Sequence, residues 1–300
     1  MVFKDTIITL REAVLDFITN AKKSHALNLA DDSNVASFEC EPTIELRARL
    51  QEILATAYHE ENESVDYAAL HASAAYADYR ECAAQLNEFN PDSLSREAQI
   101  VFWVNLYNAL VLDAVIALKI QNSVTDQLAG FKFFRQAAYM VGGKRMSCDD
   151  IEHGILRGNR GHPFLPGSQF HHAPRDPRRA WVIDPPDPRI HFALNCASRS
   201  CPPIRAYAAE TLEAQLELAA NHFIALETRI FPETNTLFLS SIFKWFQADF
   251  GGREGMLDFL LAHSLRDERR DWLIQNRRTA RLRYAPYDWR LNSSSPKGKT

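Results

Sequence analysis

The segment of residues 189–207 concentrates side chains that could carry out chemistry. It reads RIHFALNCASRSCPPIRAY, and it holds His191, Cys196 and Cys201 within eleven residues. A histidine can accept a proton from a thiol near neutral pH, and the thiolate is both a nucleophile and a soft metal ligand. The pattern is typical of a reactive thiol site, although it leaves the reaction open.

Two elements must position these side chains. Residues 190–196 are almost all apolar and predict a buried strand, whereas residues 197–203 are small and polar and contain prolines, which predicts a loop. The two-residue period of a strand puts His191 on the face opposite Cys196. The pattern therefore favours Cys201, on the proline-braced loop, as the thiol that works with the histidine.

Further ionisable side chains are candidates for the same site. Glu152 and His153 lie on a short helix predicted for residues 150–156, and Arg157 lies one turn beyond the histidine. The histidine and the arginine could bind a carboxylate, but a salt bridge between Glu152 and the arginine is an equal alternative. Asp288 could orient a histidine or cap the turn that follows it. The predicted catalytic residues are Cys201, His191, His153, Glu152 and Asp288.

The amides Asn105 and Asn108 are three residues apart on an otherwise apolar helix, so they share one face. Because buried amides need hydrogen-bond partners, we expect both to hold the backbone around residues 191–201. With Arg157 they are the predicted binding residues. Each candidate also has a structural interpretation, in which the thiols are inert buried cysteines and His191 is a buried histidine with one backbone hydrogen bond.

Composition bounds the kind of protein. The chain has 300 residues, 46% hydrophobic and 24% charged, with a net charge of −4, and no basic face dominates. The N-terminus lacks the apolar run of a signal peptide, and the five cysteines are odd in number and scattered. We therefore expect a cytoplasmic protein with no nucleic-acid or membrane partner, no cofactor, and a small-molecule or peptide substrate if it is an enzyme.

Hydrophobic periodicity divides the chain. Residues 1–94 form a predicted helical extension, residues 95–292 a predicted α+β domain with a mainly antiparallel sheet and packed helices, and residues 293–300 a disordered tail. Within this plan we expect a polar break at residues 30–42, hairpins at residues 142–143 and 233–235, helices at residues 96–120, 212–226, 243–250, 255–264 and 267–275, a proline-rich surface loop at residues 159–188 and a last strand at residues 281–284.

Five motifs follow one another along the predicted α+β domain. They are FWVNLYNAL from residue 102, CDDIEHGILR from residue 148, HFALNCASRSCPPIR from residue 191, SSIFKWFQADF from residue 240 and YDWRLN from residue 287. In this order they resemble the family called domain of unknown function 547, over residues 95–292. The resemblance implies no established activity. The family pattern has a leucine where this chain has Cys148, so we do not expect that cysteine to be catalytic.

Two classes of function fit these observations. The first is a cysteine-dependent hydrolase or acyl-transferase; its likeness to papain and transglutaminase sites is weak, because here the thiol follows His191 instead of opening a long early helix. The second is a non-catalytic protein-binding or scaffold domain. A metal site from two histidines and two cysteines is a third reading, but two close cysteines are poor evidence and we assign no metal. A cleft that exposes Cys201 to a histidine would favour the enzyme.

Overall fold

A computed structural model describes residues 2–21, 25–29, 41–171, 176–263 and 268–294. The fold is α+β, with 57% helix and 10% strand, which confirms the predicted class. Most of the predicted break at residues 30–42 and of the predicted tail at residues 293–300 lies outside the described residues.

Helices make up most of the chain, and short strands join them. The α-helices are α1 (Val2–Thr19), α2 (Pro42–Ala57), α3 (Tyr67–His71), α4 (Ala74–Gln85), α5 (Arg96–Ala117), α6 (Phe131–Gln136), α7 (Leu212–Glu227), α8 (Ser241–Trp245), α9 (Gly252–His263) and α10 (Glu268–Asn276). A π-helix spans Asp150–Leu156, and 3-10 turns span Leu86–Glu88, Pro91–Ser93, Leu128–Gly130, Pro177–Trp181, Pro188–Phe192, Ala209–Thr211 and Pro232–Thr234.

The strands form three small sheets among the described residues. Two are antiparallel hairpins, and in the third a hairpin is extended by one parallel strand, β7, which pairs with β6. The strands are β1 (Tyr58–His59), β2 (Ser64–Val65), β3 (Ala138–Val141), β4 (Lys144–Ser147), β5 (Arg229–Phe231), β6 (Thr236–Leu239) and β7 (Arg281–Tyr284).

Both predicted hairpins are confirmed, and their turns explain why the sequence signals them. Gly142 and Gly143 join β3 to β4 with φ angles of 52° and 69°, which glycine adopts without strain. Asn235 closes the turn between β5 and β6 with a φ angle of 49°. The last predicted strand is β7.

The long helix α5 is the centre of the core. Ser95 caps it by accepting a hydrogen bond from the backbone N–H of Ala98, and every residue from Ile100 to Val115 is buried. By length and composition α5 is the one helix of the described chain that could cross a membrane, yet 89% of its apolar window is buried inside the protein. Its apolar surface is thus used in core packing.

Two apolar clusters meet at the segment that carries the candidate histidine. Leu46 and Leu50 of α2 share the larger cluster with Phe102 of α5, so the N-terminal helices contribute to the same core as the predicted α+β domain. Ile190 belongs to this larger cluster, whereas Phe192 belongs to the smaller one formed with α7, α8 and α9. The residue between them, His191, is therefore fixed at the junction of the two clusters. The boundary at residue 94 stays a prediction.

Two predicted elements are wrong in detail. Residues 190–196 form no strand, because Asp187 and Pro188 begin a 3-10 turn in which the aspartate accepts a hydrogen bond from the N–H of Arg189. A short apolar run is ambiguous between a buried strand and a buried turn, and here local capping decides. The helix predicted for residues 243–250 begins at Ser241 and ends at Trp245.

Candidate active site

One cavity collects most of the predicted catalytic residues. It measures about 690 Å³, including the part that is open to solvent, and its wall includes Cys201, His191, His153 and Glu152. In the sequence these four side chains lie on the motifs that begin at residues 148 and 191, and the fold brings the two motifs to one cavity. The remaining wall is largely aromatic and includes Phe164, Trp245, Phe246, Tyr287 and Trp289.

The two cysteines of the cavity wall form a disulfide. Cys201 is 7% exposed, and its sulfur accepts a hydrogen bond from the backbone N–H of Cys196 at 3.0 Å and lies 3.1 Å from the hydroxyl of Tyr287. The disulfide corrects the expectation that Cys201 carries a free thiol that works with His191. Its physical reason is the tight turn through Ala197, which has a φ angle of 63° and brings the two sulfurs together.

The C-terminal segment holds the cysteine loop in place. The N–H of Arg199 donates to the carbonyl of Arg290 at 3.0 Å, and the N–H of Asn292 donates to the carbonyl of Ala197 at 2.9 Å. This pairing delivers the aromatic side chains of residues 287 and 289 to the cavity. The carboxylate of Asp288 instead binds the exposed guanidinium of Arg290 outside the cavity, so the predicted role of Asp288 in orienting a histidine is wrong.

Asp249 is the residue that orients the histidine. Its Oδ2 lies 2.9 Å from Nε2 of His191, whose ring stacks on Phe246 with centroids 4.1 Å apart. Burial alone would raise the pKa of Asp249, but hydrogen bonds from His191 and Arg157 outweigh burial and hold that pKa well below its usual range. Because the ionised carboxylate only accepts hydrogen bonds, His191 donates from Nε2 and keeps its lone pair on Nδ1.

The guanidinium of Arg157 supplies the counter-charge to Asp249. It donates from Nε at 2.5 Å and from Nη2 at 3.2 Å to that carboxylate, and from Nη1 to His153 Nδ1 at 2.9 Å and to the carbonyl of Gly161 at 2.6 Å. Arg157 is buried and does not line the cavity. These donors bind groups of the protein itself, so the geometry does not support the prediction that Arg157 binds a ligand carboxylate. The salt-bridge partner of Arg157 is Asp249 and not Glu152.

The π-helix presents its polar side chains to the cavity. Burial lowers the pKa of His153 well below its usual value, so the ring is neutral; because Arg157 donates to its Nδ1, the proton is on Nε2. Burial raises the pKa of Glu152, whose Oε2 accepts a hydrogen bond from the hydroxyl of Tyr107 at 3.0 Å. Burial also raises the pKa of Asp149, to about 8.

The two predicted amides are buried, and both bond to backbone groups, one of them beyond the expected residues 191–201. Asn108 donates to the carbonyl of Ala193 at 2.9 Å and accepts from the N–H of Asn195 at 2.9 Å. Asn105 does the same with both backbone groups of Tyr207, at 2.9 and 2.8 Å. Asn108 therefore fixes the backbone between His191 and the cysteine loop to helix α5, and Asn105 fixes the segment just beyond that loop. They are positioning residues and do not line the cavity.

Replacing Asn108 by leucine should lower the free energy of unfolding by roughly 1–3 kcal/mol, because a buried carbonyl and a buried N–H lose their partners. Urea denaturation of the two proteins measures the difference. The matched control is Asn87→Leu, since the half-buried Asn87 side chain donates to the exposed carboxylate of the neighbouring Glu88. Equal midpoints for the wild type and the Asn108 variant would show that the amide bonds contribute nothing to stability.

No metal centre is assembled in the part of the chain that the structure describes. Groups of three or more histidine, cysteine, aspartate or glutamate side chains with metal-binding placement are absent there. The cysteines of the zinc reading are joined to each other, and His191 is bonded to Asp249.

Sequence reasoning missed several residues of the site. Asp249 lies 58 residues from His191, and no local pattern links them. Asp149 lies three residues before Glu152, and Tyr107 is next to Asn108. Tyr287 and Trp289 flank the aspartate that was predicted in their place. The one available signal was membership in the five motifs, all of which contribute to this cavity or to its support.

Fold and site together define an α+β protein with a disulfide, a buried His–Asp pair and an aromatic-walled cavity. Residues 91–224 match the family described as protein of unknown function, DUF547, which confirms the resemblance seen in the sequence. The match includes the first three motifs, and the motifs at residues 240–250 and 287–292 lie beyond it. No curated protein and no solved structure matches the chain.

Proposed function

We propose that the cavity is the site of a cysteine-dependent hydrolase or acyl-transferase whose nucleophile is Cys201 in its reduced form. The observation that carries the proposal is that Cys201 lines the same cavity as the His191–Asp249 pair. A thiol and an imidazole oriented by a carboxylate are the parts that nucleophilic thiol catalysis requires.

Reduction of the disulfide is the first requirement. A low-molecular-weight dithiol transfers two electrons and two protons to the Cys196–Cys201 bond and is itself oxidised to a disulfide. The freed Cys201 sulfur would keep two donors, the N–H of Cys196 and the hydroxyl of Tyr287. Burial raises the pKa of Tyr287, so this hydroxyl stays protonated and donates to a thiolate.

His191 is the base in this proposal. Burial lowers its pKa, so the ring is neutral near pH 7, and its lone pair is on Nδ1 because Nε2 donates to Asp249. The imidazole takes the thiol proton, the thiolate attacks the substrate carbonyl carbon, and the leaving alcohol or amine departs with that proton. Water or a second nucleophile then attacks the thioester, the carbon–sulfur bond breaks, and the thiol is restored.

Two serine variants test the proposal directly. Cys196→Ser leaves Cys201 permanently free, whereas Cys201→Ser leaves only Cys196. In the first variant we expect iodoacetamide at pH 7 to label Cys201 at least tenfold faster than it labels Cys196 in the second, as read residue by residue by mass spectrometry. Adding His191→Ala to the first variant should remove this advantage.

An acyl-enzyme readout completes the test. With p-nitrophenyl acetate, the Cys196→Ser protein and the reduced wild type should release a burst of nitrophenol that approaches one equivalent per chain. The oxidised wild type and Cys201→Ser should show none. Labelling of Cys201 that is no faster than labelling of Cys196, together with the absence of a burst, would refute the thiol function.

The alternative function, a non-catalytic protein-binding domain, is supported by a different observation. Helix α1 exposes a row of apolar side chains at helical spacing, Leu10, Val14, Phe17 and Ile18, of which Phe17 is 86% exposed. A soluble helix normally turns such a face to a partner. The same labelling experiment decides between the two, since a binding domain requires neither a fast thiol nor a burst.

A further inference from the structure

The side chains at the polar end of the cavity carry either negative charge or no charge. Asp149 and Glu152 line it with three histidines, and no lysine or arginine of the described chain does. Burial lowers the pKa of His153 and of His191, and it lowers the pKa of His162 to about 4, so all three rings are neutral at pH 7. An anionic ligand would therefore meet no positive charge on the cavity wall.

Asp149 is the member of this group whose carboxyl group accepts no hydrogen bond among the described residues. The residue is 7% exposed, and no hydrogen bond from the described residues reaches its carboxyl group. Its contact with Nε2 of His153, at 3.9 Å, is too long to be a hydrogen bond. A buried polar group that lines a cavity and accepts no hydrogen bond from the protein is a candidate to be satisfied by a ligand.

Aromatic rings face the same space. Trp245, Tyr287 and Trp289 pack against one another with ring centroids 4.5 to 5.4 Å apart and form one continuous wall. The rings are too close together to enclose a ligand. They present one apolar surface, in which the planes of Trp245 and Trp289 differ by 23° and Tyr287 is inclined to them by 54° and 51°. Such a surface binds apolar or aromatic groups and also favours a nearby cation.

We propose that Asp149 and Glu152 bind the ammonium group of a primary amine whose apolar body lies against Trp245, Tyr287 and Trp289. Such a ligand suits the two carboxyl groups at the polar end of the cavity, one of which accepts no hydrogen bond from the described residues, and it suits the aromatic wall. An amine of this kind matches the cavity better than a carboxylate or a phosphate.

The role of the amine rests on the proposed function, in which it is the acyl acceptor. The ammonium group first gives one proton to the Asp149 carboxylate. The nitrogen of the resulting free amine then attacks the carbonyl carbon of the Cys201 thioester, an amide bond forms, and the carbon–sulfur bond breaks with the sulfur leaving as thiolate. The two protons that the ammonium loses pass to the Asp149 carboxylate and to that thiolate. The products are an amide and the restored thiol.

Binding of the ammonium group should depend on pH, because it needs an ionised carboxylate. Burial raises the pKa of Asp149 to about 8, so the ionised fraction, and with it the affinity, should increase roughly fiftyfold between pH 6 and pH 8, and a proton should be released on binding. The charged and titratable groups that face this carboxyl are Arg135, which lowers its pKa, Asp150, Glu152 and Glu12, which raise it, and the neutral ring of His153.

Isothermal titration calorimetry on the full chain tests the proposal with 2-phenylethylamine as the probe. Its neutral analogue 2-phenylethanol and the anion phenylacetate are the matched ligands. We expect the amine to bind at least tenfold more tightly than either analogue at pH 8, and the double variant Asp149→Asn, Glu152→Gln to lose that difference. Asp288→Asn, whose carboxylate lies outside the cavity, is the matched control and should bind like the wild type.

The outcomes separate this proposal from the thiol function. Cys201→Ser should still bind the amine, because the sulfur contributes nothing to charge recognition. If the amine binds but no nitrophenol burst appears, the amine site is supported and the role of the amine as acyl acceptor is refuted. Equal affinities for the amine and the alcohol, or amine binding unchanged in the double variant, would overturn the amine site itself.

Discussion

Replacing Asp249 by asparagine should lower the free energy of unfolding by about 3–5 kcal/mol at pH 7. The carboxylate is 4% exposed and is the counter-charge of the buried Arg157, which is 5% exposed. Removing one partner of a buried ion pair leaves the other charge uncompensated in a medium of low dielectric constant. The same substitution removes the ionised acceptor that fixes the tautomer of His191, so the fast labelling of Cys201 should be lost as well.

The sign of the pH dependence follows from the lowered pKa of Asp249. The unfolded carboxyl group takes up a proton near pH 4, whereas the folded one keeps its charge to lower pH because of His191 and Arg157. The stabilisation is therefore complete above pH 4 and is lost as the pH falls below it. The deficit of the asparagine variant, measured by urea denaturation, should shrink over that acidic range.

Asp288→Asn is the control, because it removes another aspartate–arginine pair of similar geometry. There the arginine side chain is 68% exposed, and solvent screens the pair. We expect a far smaller change in stability than for Asp249→Asn. If the two variants were equally stable, the buried pair would contribute no more than a surface pair and the structural role given to Asp249 would be untenable.

Local signals in the sequence were sufficient for the hairpins and for the two amides. Glycines that must adopt positive φ angles mark the turn at residues 142–143, and amides on an apolar helix need partners wherever the helix packs. Asn108 and Asn105 found those partners on the predicted segment and just beyond it. These requirements belong to single residues, and so they can be recognised without the fold.

The site geometry depends on contacts between distant segments and could not be predicted in the same way. The choice between Asp249 and Asp288 as the partner of His191 rests on whether the turn after α8 or the C-terminal segment approaches the ring. The pairing of Cys196 with Cys201 rests on a turn with positive φ at Ala197, a residue that rarely signals one. Neither feature leaves a periodic pattern in the sequence.

Asp149→Asn should make the protein more stable at alkaline pH, which is unusual for a substitution of a buried residue. Burial raises the pKa of Asp149 to about 8, whereas the unfolded carboxyl group ionises near pH 4. Between pH 4 and pH 8 the chain takes up a proton when it folds, so the free energy of unfolding falls as the pH rises. At pH 8.5 the ionisation of Asp149 lowers the free energy of unfolding by on the order of 3–5 kcal/mol. Asparagine resembles the protonated acid, so the variant does not lose this stability.

Urea denaturation at pH 5 and pH 8.5 measures this effect, and the adjacent residue is its control. Asp150 is equally buried, but it accepts hydrogen bonds from Ser147 and Gln169 and pairs with Arg178 at 3.2 Å. Although burial raises the pKa of Asp150, these partners outweigh it and lower that pKa, so Asp150→Asn should destabilise. Two neighbouring substitutions of the same kind should thus have opposite signs. A protein that retains Asp149 despite this loss of stability keeps a carboxyl group available for a ligand. If Asp149→Asn were less stable than the wild type at pH 8.5, this interpretation would fail.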